Sequence, residues 1–415
     1  MSRDRGTWIA AAAASVLFGI SFYVLLRWLE RGQLSDVGGY QQHALAIRAG
    51  QVPYRDFAFE YPPAALPTEL LPAYFPWSYP TSFAVLMGVC GAGCIVAAAS
   101  ALRTVGAGAE RTWAVLLAIG VSPLVLGALF DTRFDLWPAL LAVGALAALL
   151  EERPLVCGAL LGLGFAAKLW PAVLLPIAVV HLWRRRGRGD ALRAVAAFVV
   201  AAAVCFLPFA LLAPQGLRTS VTGQLNRPLQ VESLGAAVLM AVQHIDTHSR
   251  PLTTIDTHGA QALTGRGTVL AADLSSVLEL VAVVGIWILF ARRRNADGEA
   301  TLAAAAAAVC ALAAFDRVLS PQYLIWLVPF VFLVRGRSGI AAGCLLFLAL
   351  GLTQTWFPRH YWSLAVGKDA PWSWYLLVRD LALVAIAAVL VFDLSRGERF
   401  AGRTADWPAA PRAVA

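Results

Sequence analysis

The chain has 415 residues, of which 59% are hydrophobic and only 14% are charged, and its mean hydropathy is +0.69. This composition excludes a water-soluble globular protein and indicates an integral membrane protein. The net charge is +8, but the arginines come in short runs between apolar blocks, which is typical of cytoplasmic loops and not of a nucleic-acid surface.

The apolar segments predict an all-α, polytopic membrane protein, because a bilayer core requires about 20 apolar residues per helix and fewer where a helix is buried among others. We expect about twelve transmembrane helices. Splitting the segment between 154 and 183 at Leu169 and Pro171 gives two short spans. The approximate limits of the twelve are 8–26, 80–102, 112–130, 135–150, 154–168, 171–183, 193–212, 269–290, 300–316, 320–334, 339–356 and 374–393.

The arginine runs predict the orientation of the chain. With a cytoplasmic N-terminus, the runs at 184–188, 292–294 and 335–337 fall in cytoplasmic loops, as the positive-inside rule requires. Both termini are then cytoplasmic, and the first apolar segment is expected to be an uncleaved span, since no small cleavage-site residues follow it. The predicted location is the cytoplasmic membrane.

One transmembrane domain is expected to cover residues 1–395, followed by a disordered cytoplasmic tail at 396–415. The outer face receives two long connections, a first outer loop at 27–72 and a long outer segment at 213–268. Polar chemistry is therefore concentrated on one side of the membrane.

The first outer loop carries the densest set of reactive side chains. A short amphipathic helix is predicted over 37–49, ended by Gly50. Asp36 precedes this helix, and Tyr40 and His43 follow one and two turns later on the same face. The remaining polar candidates of the loop are Tyr54, Asp56, Glu60 and Tyr61.

Asp36 has two possible roles. Its carboxylate could act as general base toward a sugar hydroxyl, or it could cap the following helix, and the two roles are compatible. Asp56 follows Arg55 directly and is expected to form a solvated ion pair, which contributes little. Glu60 lies where the chain re-enters apolar surroundings, and a buried carboxylate there requires a partner.

Three cations lie at or near membrane depth. Lys168 is isolated among apolar residues, Arg133 lies between two aspartates, and Arg317 follows Asp316. Each could bind an anionic ligand such as a phosphate, because charges at this depth are costly and are usually paired. The alternatives are a lysine that extends to the membrane surface and, for the arginines, ion pairs within the protein.

The long outer segment contains three histidines and two aspartates, but their spacing matches no specific metal motif. We expect a polar surface loop there, and no metal and no cofactor. These residues are His244, Asp246, His248, Asp256 and His258.

A set of short motifs in order along the chain resembles glycosyltransferase family 87, which comprises polytopic GT-C enzymes such as the actinobacterial polyprenyl-phosphate-mannose-dependent alpha-(1,2)-mannosyltransferases. The resemblance covers about residues 30–365. The motifs are Asp36 after the first span, PY at 53–54, FEYPP at 59–63, FDLWPALL at 134–141, KLWP at 168–171, LQVESL at 229–234 and SPQYLIWLVP at 320–329.

The resemblance implies transfer of a sugar, most often mannose, from a polyprenyl monophosphate to a glycolipid or glycan hydroxyl on the outer face, with inversion. Asp36 matches the family's first-outer-loop aspartate, the expected base. The residues implied in binding are Arg133, Lys168 and Arg317 for the donor phosphate, Gln230, Glu232 and Ser233 for the sugar or acceptor, and Gln322 as a further substrate contact.

A transporter is the rival from another functional class, since about twelve helices with both termini inside is a common transporter layout. Transporters usually show repeated halves, and no repeat relates the two halves here. Within the enzyme class, the donor could instead carry arabinofuranose or another hexose. The expected partners are the lipid-linked donor, the glycan acceptor and membrane lipids, with no nucleic acid.

Overall fold

The computed structural model describes residues 3–28, 34–246, 251–257, 259–293 and 296–404. Its helices are α1 (Arg3–Trp28), α2 (Val37–Arg48), α3 (Leu66–Leu70), α4 (Tyr79–Thr104), α5 (Ala109–Leu126), α6 (Leu129–Thr132), α7 (Leu136–Leu150), α8 (Pro154–Ala167), α9 (Leu175–Arg186), α10 (Arg188–Leu212), α11 (Pro214–Leu225), α12 (Leu234–Ile245), α13 (Thr268–Arg292), α14 (Gly298–Phe315), α15 (Leu324–Val331), α16 (Gly336–Trp356), α17 (Tyr361–Ala365) and α18 (Ala370–Thr404). Short 3₁₀ turns occupy Pro63–Ala65, Leu71–Tyr74, Trp170–Leu174 and Pro321–Tyr323, and the two strands are β1 (Thr253–Thr257) and β2 (Ala260–Thr264).

The helical membrane architecture predicted from composition is confirmed. Eight helices in the described part of the chain are long and apolar enough to cross a membrane: α1, α4, α5, α10, α13, α14, α16 and α18. They coincide with eight of the twelve predicted spans. The other four predicted spans contain the shorter helices α7, α8, α9 and α15, of 15, 14, 12 and 8 residues.

The bundle is built around α14, whose alanine-rich sequence lets neighbouring helices approach closely. It packs against α13, α15 and α18, and every residue from 303 to 308 is almost completely buried. At the periphery, α8 lies tightly on α10, because Gly158 and Gly162 leave space for its backbone. A Cβ at these glycines would lie 2.0 Å from the Ala194 carbonyl oxygen and 2.3 Å from that of Phe198.

Two local predictions are confirmed. The amphipathic helix expected over 37–49 is α2, which ends at Arg48, and the chain turns at Gly50 with φ +86°, a conformation that favours glycine. The break expected between the spans at 154–168 and 171–183 falls at Lys168, which is extended, followed by the 3₁₀ turn Trp170–Leu174.

The long outer segment is more structured than a surface loop. It contains α11 and α12 and an antiparallel hairpin in which Thr253 pairs with Thr264 and Thr257 with Ala260, so the described part of the chain is helical with one small β-element. Strand β2 also bonds to the chain before α12, since Val231 N donates to the Gln261 oxygen at 2.9 Å. The hairpin is thereby fixed beside residues 229–231.

The arginine runs at 184–188 and 292–294 meet at one end of the bundle. Arg184 donates to the carbonyl oxygens of Ala291 and Arg293, and Arg185 pairs with Glu152 at 3.1 Å. Helix α7 begins beside Asp135 and ends beside Glu151 at this arginine-rich end, so residues around Asp135 lie at the opposite end.

The predicted disordered tail at 396–415 stays a prediction. Helix α18 is described to Thr404. Residues 405–415 lie outside the described part.

Candidate active site

A cavity of about 500 Å³ opens at the end of the bundle opposite the arginine runs. Its wall combines the first outer loop, the α6–α7 connection, the α8–α9 break, the chain before α12 and the turn before α15. The predicted site residues that line it are Asp36, Tyr40, His43, Glu60, Tyr61, Arg133, Lys168, Gln230, Glu232 and Gln322.

Asp36 is held at the cavity wall by an arginine from a different helix connection. Its Oδ2 lies 3.1 Å from Nε of Arg133, and the Tyr40 hydroxyl donates to the same oxygen at 3.3 Å. Arg133 is fixed in turn by donating to the Leu34 carbonyl oxygen at 2.7 Å. The internal ion pair considered for Arg133 is therefore formed, and its partner is the expected base.

The predicted cap role of the Asp36 side chain is wrong. Asp36 stands at the N-cap position of α2, but its carboxylate accepts no hydrogen bond from a backbone amide of the helix. Ser35 Oγ instead accepts from the Val37 amide at 3.3 Å. The Asp36 carboxylate is directed to Arg133 and Tyr40, where the cavity begins.

Lys168 is paired inside the protein and does not extend to the membrane surface. Its Nζ lies 2.7 Å from Oδ1 of Asp135, which is almost completely buried, and Trp326 Nε1 donates to the same oxygen at 2.6 Å. The ammonium also lies 5.1 to 5.2 Å from the ring centroids of Phe134, Tyr323 and Trp326. Carboxylate and aromatic rings together stabilise the charge away from water.

A third cation was not identified from the sequence. Arg227 Nη2 lies 3.6 Å from Oε2 of Glu60, and both residues line the cavity. The Glu60 carbonyl oxygen is also bound, accepting from Ser220 Oγ and Gln224 Nε2 at 3.0 Å each. Glu60 therefore has the partner that its position required, and three cation–carboxylate pairs surround one cavity.

The wall formed by the chain before α12 contains a buried carboxylate. Glu232 is 2% exposed, and this burial raises its pKa to about 7. Its carbonyl oxygen accepts from Nη2 of Arg379 at 2.8 Å, and Arg379 lies 2.7 Å from Asp380 with both side chains fully buried. Gln230 Nε2 donates to Ser320 Oγ at 3.0 Å.

A charged pair in the last helix could have indicated this wall from the sequence. Arg379 and Asp380 form a charged pair inside the apolar stretch of α18, and ionisable residues within a transmembrane helix usually mark function or a buried partner. Tyr361, which also lines the cavity, gave no comparable signal.

Two other predicted residues support the first outer loop from outside the cavity. Tyr54 adopts φ 66° and its hydroxyl donates to the Tyr61 carbonyl oxygen at 2.6 Å. Asp56 accepts from Arg55 through both oxygens at 2.9 Å and from the Val52 amide at 2.7 Å. The Arg55 guanidinium lowers the pKa of Asp56 to about 2, and this is the expected loop pair.

Ser233 and Arg317 also lie outside this cavity. Ser233 caps α12, since its Oγ accepts from the Ala236 amide at 3.4 Å. Arg317 lines a second cavity of about 560 Å³. A serine directly before an apolar helix is a common N-cap, so this role of Ser233 could have been predicted from the sequence.

The second cavity adjoins the first. Both are lined by Tyr61, Lys168, Gln224 and Tyr323, so these residues form a common wall. The rest of the second cavity is largely apolar and aromatic, with contributions from α13 and the 3₁₀ turn after Lys168. Its ring-bearing residues beyond the common wall are Trp170, Trp287 and Trp326.

The outer-segment histidines do not assemble into a metal centre in the described chain, where no three His, Cys, Asp or Glu side chains are grouped. His248 and His258 lie outside the described residues.

The chain matches a known family of proteins. The sequence profile of Glycosyltransferase family 87 matches residues 59–321, more than half of the chain. No curated protein matches the chain. The matched region contains Arg133, Lys168 and Glu232, whereas Asp36 and His43 precede it.

Proposed function

Because the chain belongs to glycosyltransferase family 87 and is a membrane glycosyltransferase, we propose that it transfers a hexose, mannose in the first instance, from a polyprenyl-phosphate-sugar donor to a hydroxyl group of a glycolipid or glycan. The observation that carries the proposal is the convergence of the Asp36 carboxylate with three paired cations on one cavity. Such a reaction requires a base for the acceptor and positive charge for the leaving phosphate.

Asp36 is the proposed general base. The acceptor oxygen attacks the anomeric carbon of the donor sugar and its proton passes to the Asp36 carboxylate. The bond between the anomeric carbon and the phosphate oxygen breaks, and polyprenyl phosphate leaves with the bonding electrons, so the anomeric configuration inverts. Arg133 and Tyr40 orient the carboxylate before the acceptor arrives.

The donor phosphate is assigned to the common wall of the two cavities. Lys168 lies there, and Arg227 lines the first cavity and Arg317 the second. Cations held in a partly desolvated site stabilise charge that develops on a leaving phosphate more strongly than they would in water. The reaction as proposed uses no cofactor besides the lipid-linked donor.

The lipid character of the donor is supported by the second cavity. Its wall is mostly apolar, and it is bordered by α13, a candidate membrane span of which only 22% is buried within the protein. A polyprenyl chain could lie against these residues while its phosphate meets Lys168 and the sugar enters the first cavity.

The outer face of the cytoplasmic membrane is the proposed site of reaction. The arginine runs gather at the end of the bundle opposite the cavity, and arginine-rich loops are generally cytoplasmic. With this orientation the cavity opens to the outside, and both termini are cytoplasmic.

A panel of radiolabelled polyprenyl-phosphate sugars tests the proposal. Membranes containing the protein are incubated with mannose, glucose and arabinofuranose donors, and membranes with an equal amount of Asp36→Asn serve as control. We expect label from the mannose donor in the glycolipid or glycan fraction. Label from arabinofuranose alone would change the assigned sugar, and transfer from a nucleotide sugar without lipid-linked sugar would contradict the donor class.

A further inference from the structure

A histidine of the cavity wall is held by a buried glutamate that the sequence did not single out. His43 Nδ1 lies 2.8 Å from Oε2 of Glu69, linking α2 to α3. The Glu69 side chain is fully buried, whereas that of His43 is 25% exposed and lines the cavity. The exposed part of the pair is therefore the imidazole ring.

The buried carboxylate of Glu69 depends on His43 as its hydrogen-bond partner. Its second oxygen, Oε1, has no hydrogen-bond partner among the described residues, and burial raises its pKa while His43 opposes that shift. A buried carboxylate requires a partner, so Glu69 fixes the ring with Nδ1 toward itself. The second nitrogen, Nε2, forms no hydrogen bond within the described chain.

Aromatic rings set the plane of the imidazole. His43 stacks on Phe57, with centroids 5.3 Å apart and an interplanar angle of 23°, and it meets the edge of Phe59 at 5.4 Å. Because Glu69 and these rings together fix the position of the imidazole, its free nitrogen is preorganised for a ligand.

His43 shares one face of α2 with the proposed base. It lies seven residues after Asp36, a rise of roughly 10 Å along the helix, and Gly39 and Tyr40 line the cavity between them. A Cβ at Gly39 would meet nothing within 4 Å, so there is open space beside this stretch. A molecule with its reacting hydroxyl at Asp36 would present a more distant part to His43.

We propose that the His43–Glu69 dyad binds the acceptor, with Nε2 of His43 contacting a hydroxyl of a hexopyranoside other than the one that reacts, and Glu69 acting as the positioning residue. This inference rests on the proposed function and assigns the α2 wall to the acceptor.

The charges around the dyad favour a neutral ligand over the donor phosphate. The carboxylates of Asp36 and Glu60 both act on Glu69 electrostatically, and each is paired with an arginine, so the wall around the dyad carries no excess positive charge to attract an anion. Lys168, by contrast, lies on the wall shared with the second cavity. Hydroxyl groups of a sugar are compatible with imidazole and carboxylate partners.

The test separates acceptor binding from donor binding. The variant is His43→Phe/Glu69→Met, which removes both polar partners together and so avoids leaving an unpaired buried carboxylate. The control is His360→Gln, a histidine that stacks on Trp372 with centroids 4.0 Å apart and lines neither cavity. The acceptor probe is octyl α-mannopyranoside, and the donor is polyprenyl-phosphate [¹⁴C]mannose.

We expect the double variant to raise the acceptor KM about tenfold, the effect of a lost hydrogen bond of about 1.4 kcal/mol, with the donor KM within about twofold of wild type. The His360→Gln control should change neither constant. A raised donor KM with an unchanged acceptor KM would overturn the proposal, and so would two unchanged constants, which would leave the dyad as a link between α2 and α3.

Direct binding keeps this test independent of the donor. Octyl α-mannopyranoside binding to the purified proteins is measured by thermal stabilisation, and wild type should bind about tenfold more tightly than the double variant. Equal binding, or none by either protein, would contradict the acceptor assignment. Failure of every lipid-linked donor in the panel, with this binding difference intact, would contradict only the proposed reaction.

Discussion

Oδ2 of Asp36 lies 3.1 Å from Nε of Arg133, although the two residues are almost one hundred positions apart in the chain. The same oxygen accepts from the Tyr40 hydroxyl, so the carboxylate is oriented from two directions. Preorganisation of this kind lowers the cost of positioning a base in the transition state.

Asp36→Asn should nearly abolish sugar transfer. An asparagine oxygen at this position can still accept the hydrogen bond from Tyr40, and Arg133 keeps its hydrogen bonds to the carbonyl oxygens of Leu34 and Thr132, so the fold should be preserved. An amide cannot take the proton of the acceptor hydroxyl, however, and loss of a general base costs about 100- to 10,000-fold in rate. Transfer of radiolabelled sugar is measured in membranes matched for protein amount.

Asp56→Asn is the matched control for this substitution, since Asp56 bonds to Arg55 and Val52 outside the cavity. Its effect on transfer should be much smaller. Near-normal turnover by Asp36→Asn would instead direct the search for the base to Glu60 or Glu232.

Lys168→Met should weaken donor use and also destabilise the protein. The substitution removes the ammonium from the common wall and leaves Asp135 buried without its ionic partner, which costs about 3 to 5 kcal/mol. Adding Asp135→Asn should recover much of the thermal stability without restoring the donor KM. If the double variant recovers both, Lys168 has only a structural role.

Cysteine labelling tests the orientation. Gln51 is exposed in the first outer loop and Gly189 is exposed beside the arginine run. Each is replaced by cysteine in a Cys344→Ser background, because Cys344 is an exposed native thiol. An impermeant maleimide should label Gln51→Cys in intact cells, and Gly189→Cys only after permeabilisation. The opposite pattern would place the cavity in the cytoplasm.

Glu232 should make stability fall as the pH rises. Burial raises the pKa of Glu232 from about 4.5 to about 7, so between these values the folded protein holds a proton that the unfolded chain has lost. The contribution of Glu232 to the free energy of unfolding is therefore fully present below about pH 4.5 and is lost as the pH rises to about 7. The total loss is roughly 3 kcal/mol.

Thermal unfolding at pH 5 and pH 8 measures this effect. Glu232→Gln cannot ionise, so it should lose less stability over this interval than wild type, whereas Glu110→Gln, at an exposed position, should behave as wild type. Equal losses in all three proteins would mean that Glu232 ionises normally.

The membrane class, the positions of the long apolar helices, helix α2 and the break at Lys168 could all be predicted from the sequence. These properties depend on local composition and on residues close together in the chain, since a bilayer selects helix length and a glycine or proline ends a helix where it stands. The concentration of polar residues in the first outer loop also located much of the cavity.

Which charges meet could not be predicted without the three-dimensional packing of the helices. Asp36 pairs with Arg133, Lys168 with Asp135, Glu60 with Arg227 and His43 with Glu69. As far as the sequence shows, any of these carboxylates could have paired with any of these cations. An ion pair depends on distance in space, and its partners here come from different helices and helix connections. The packing of the helices brings these pairs together around the candidate site.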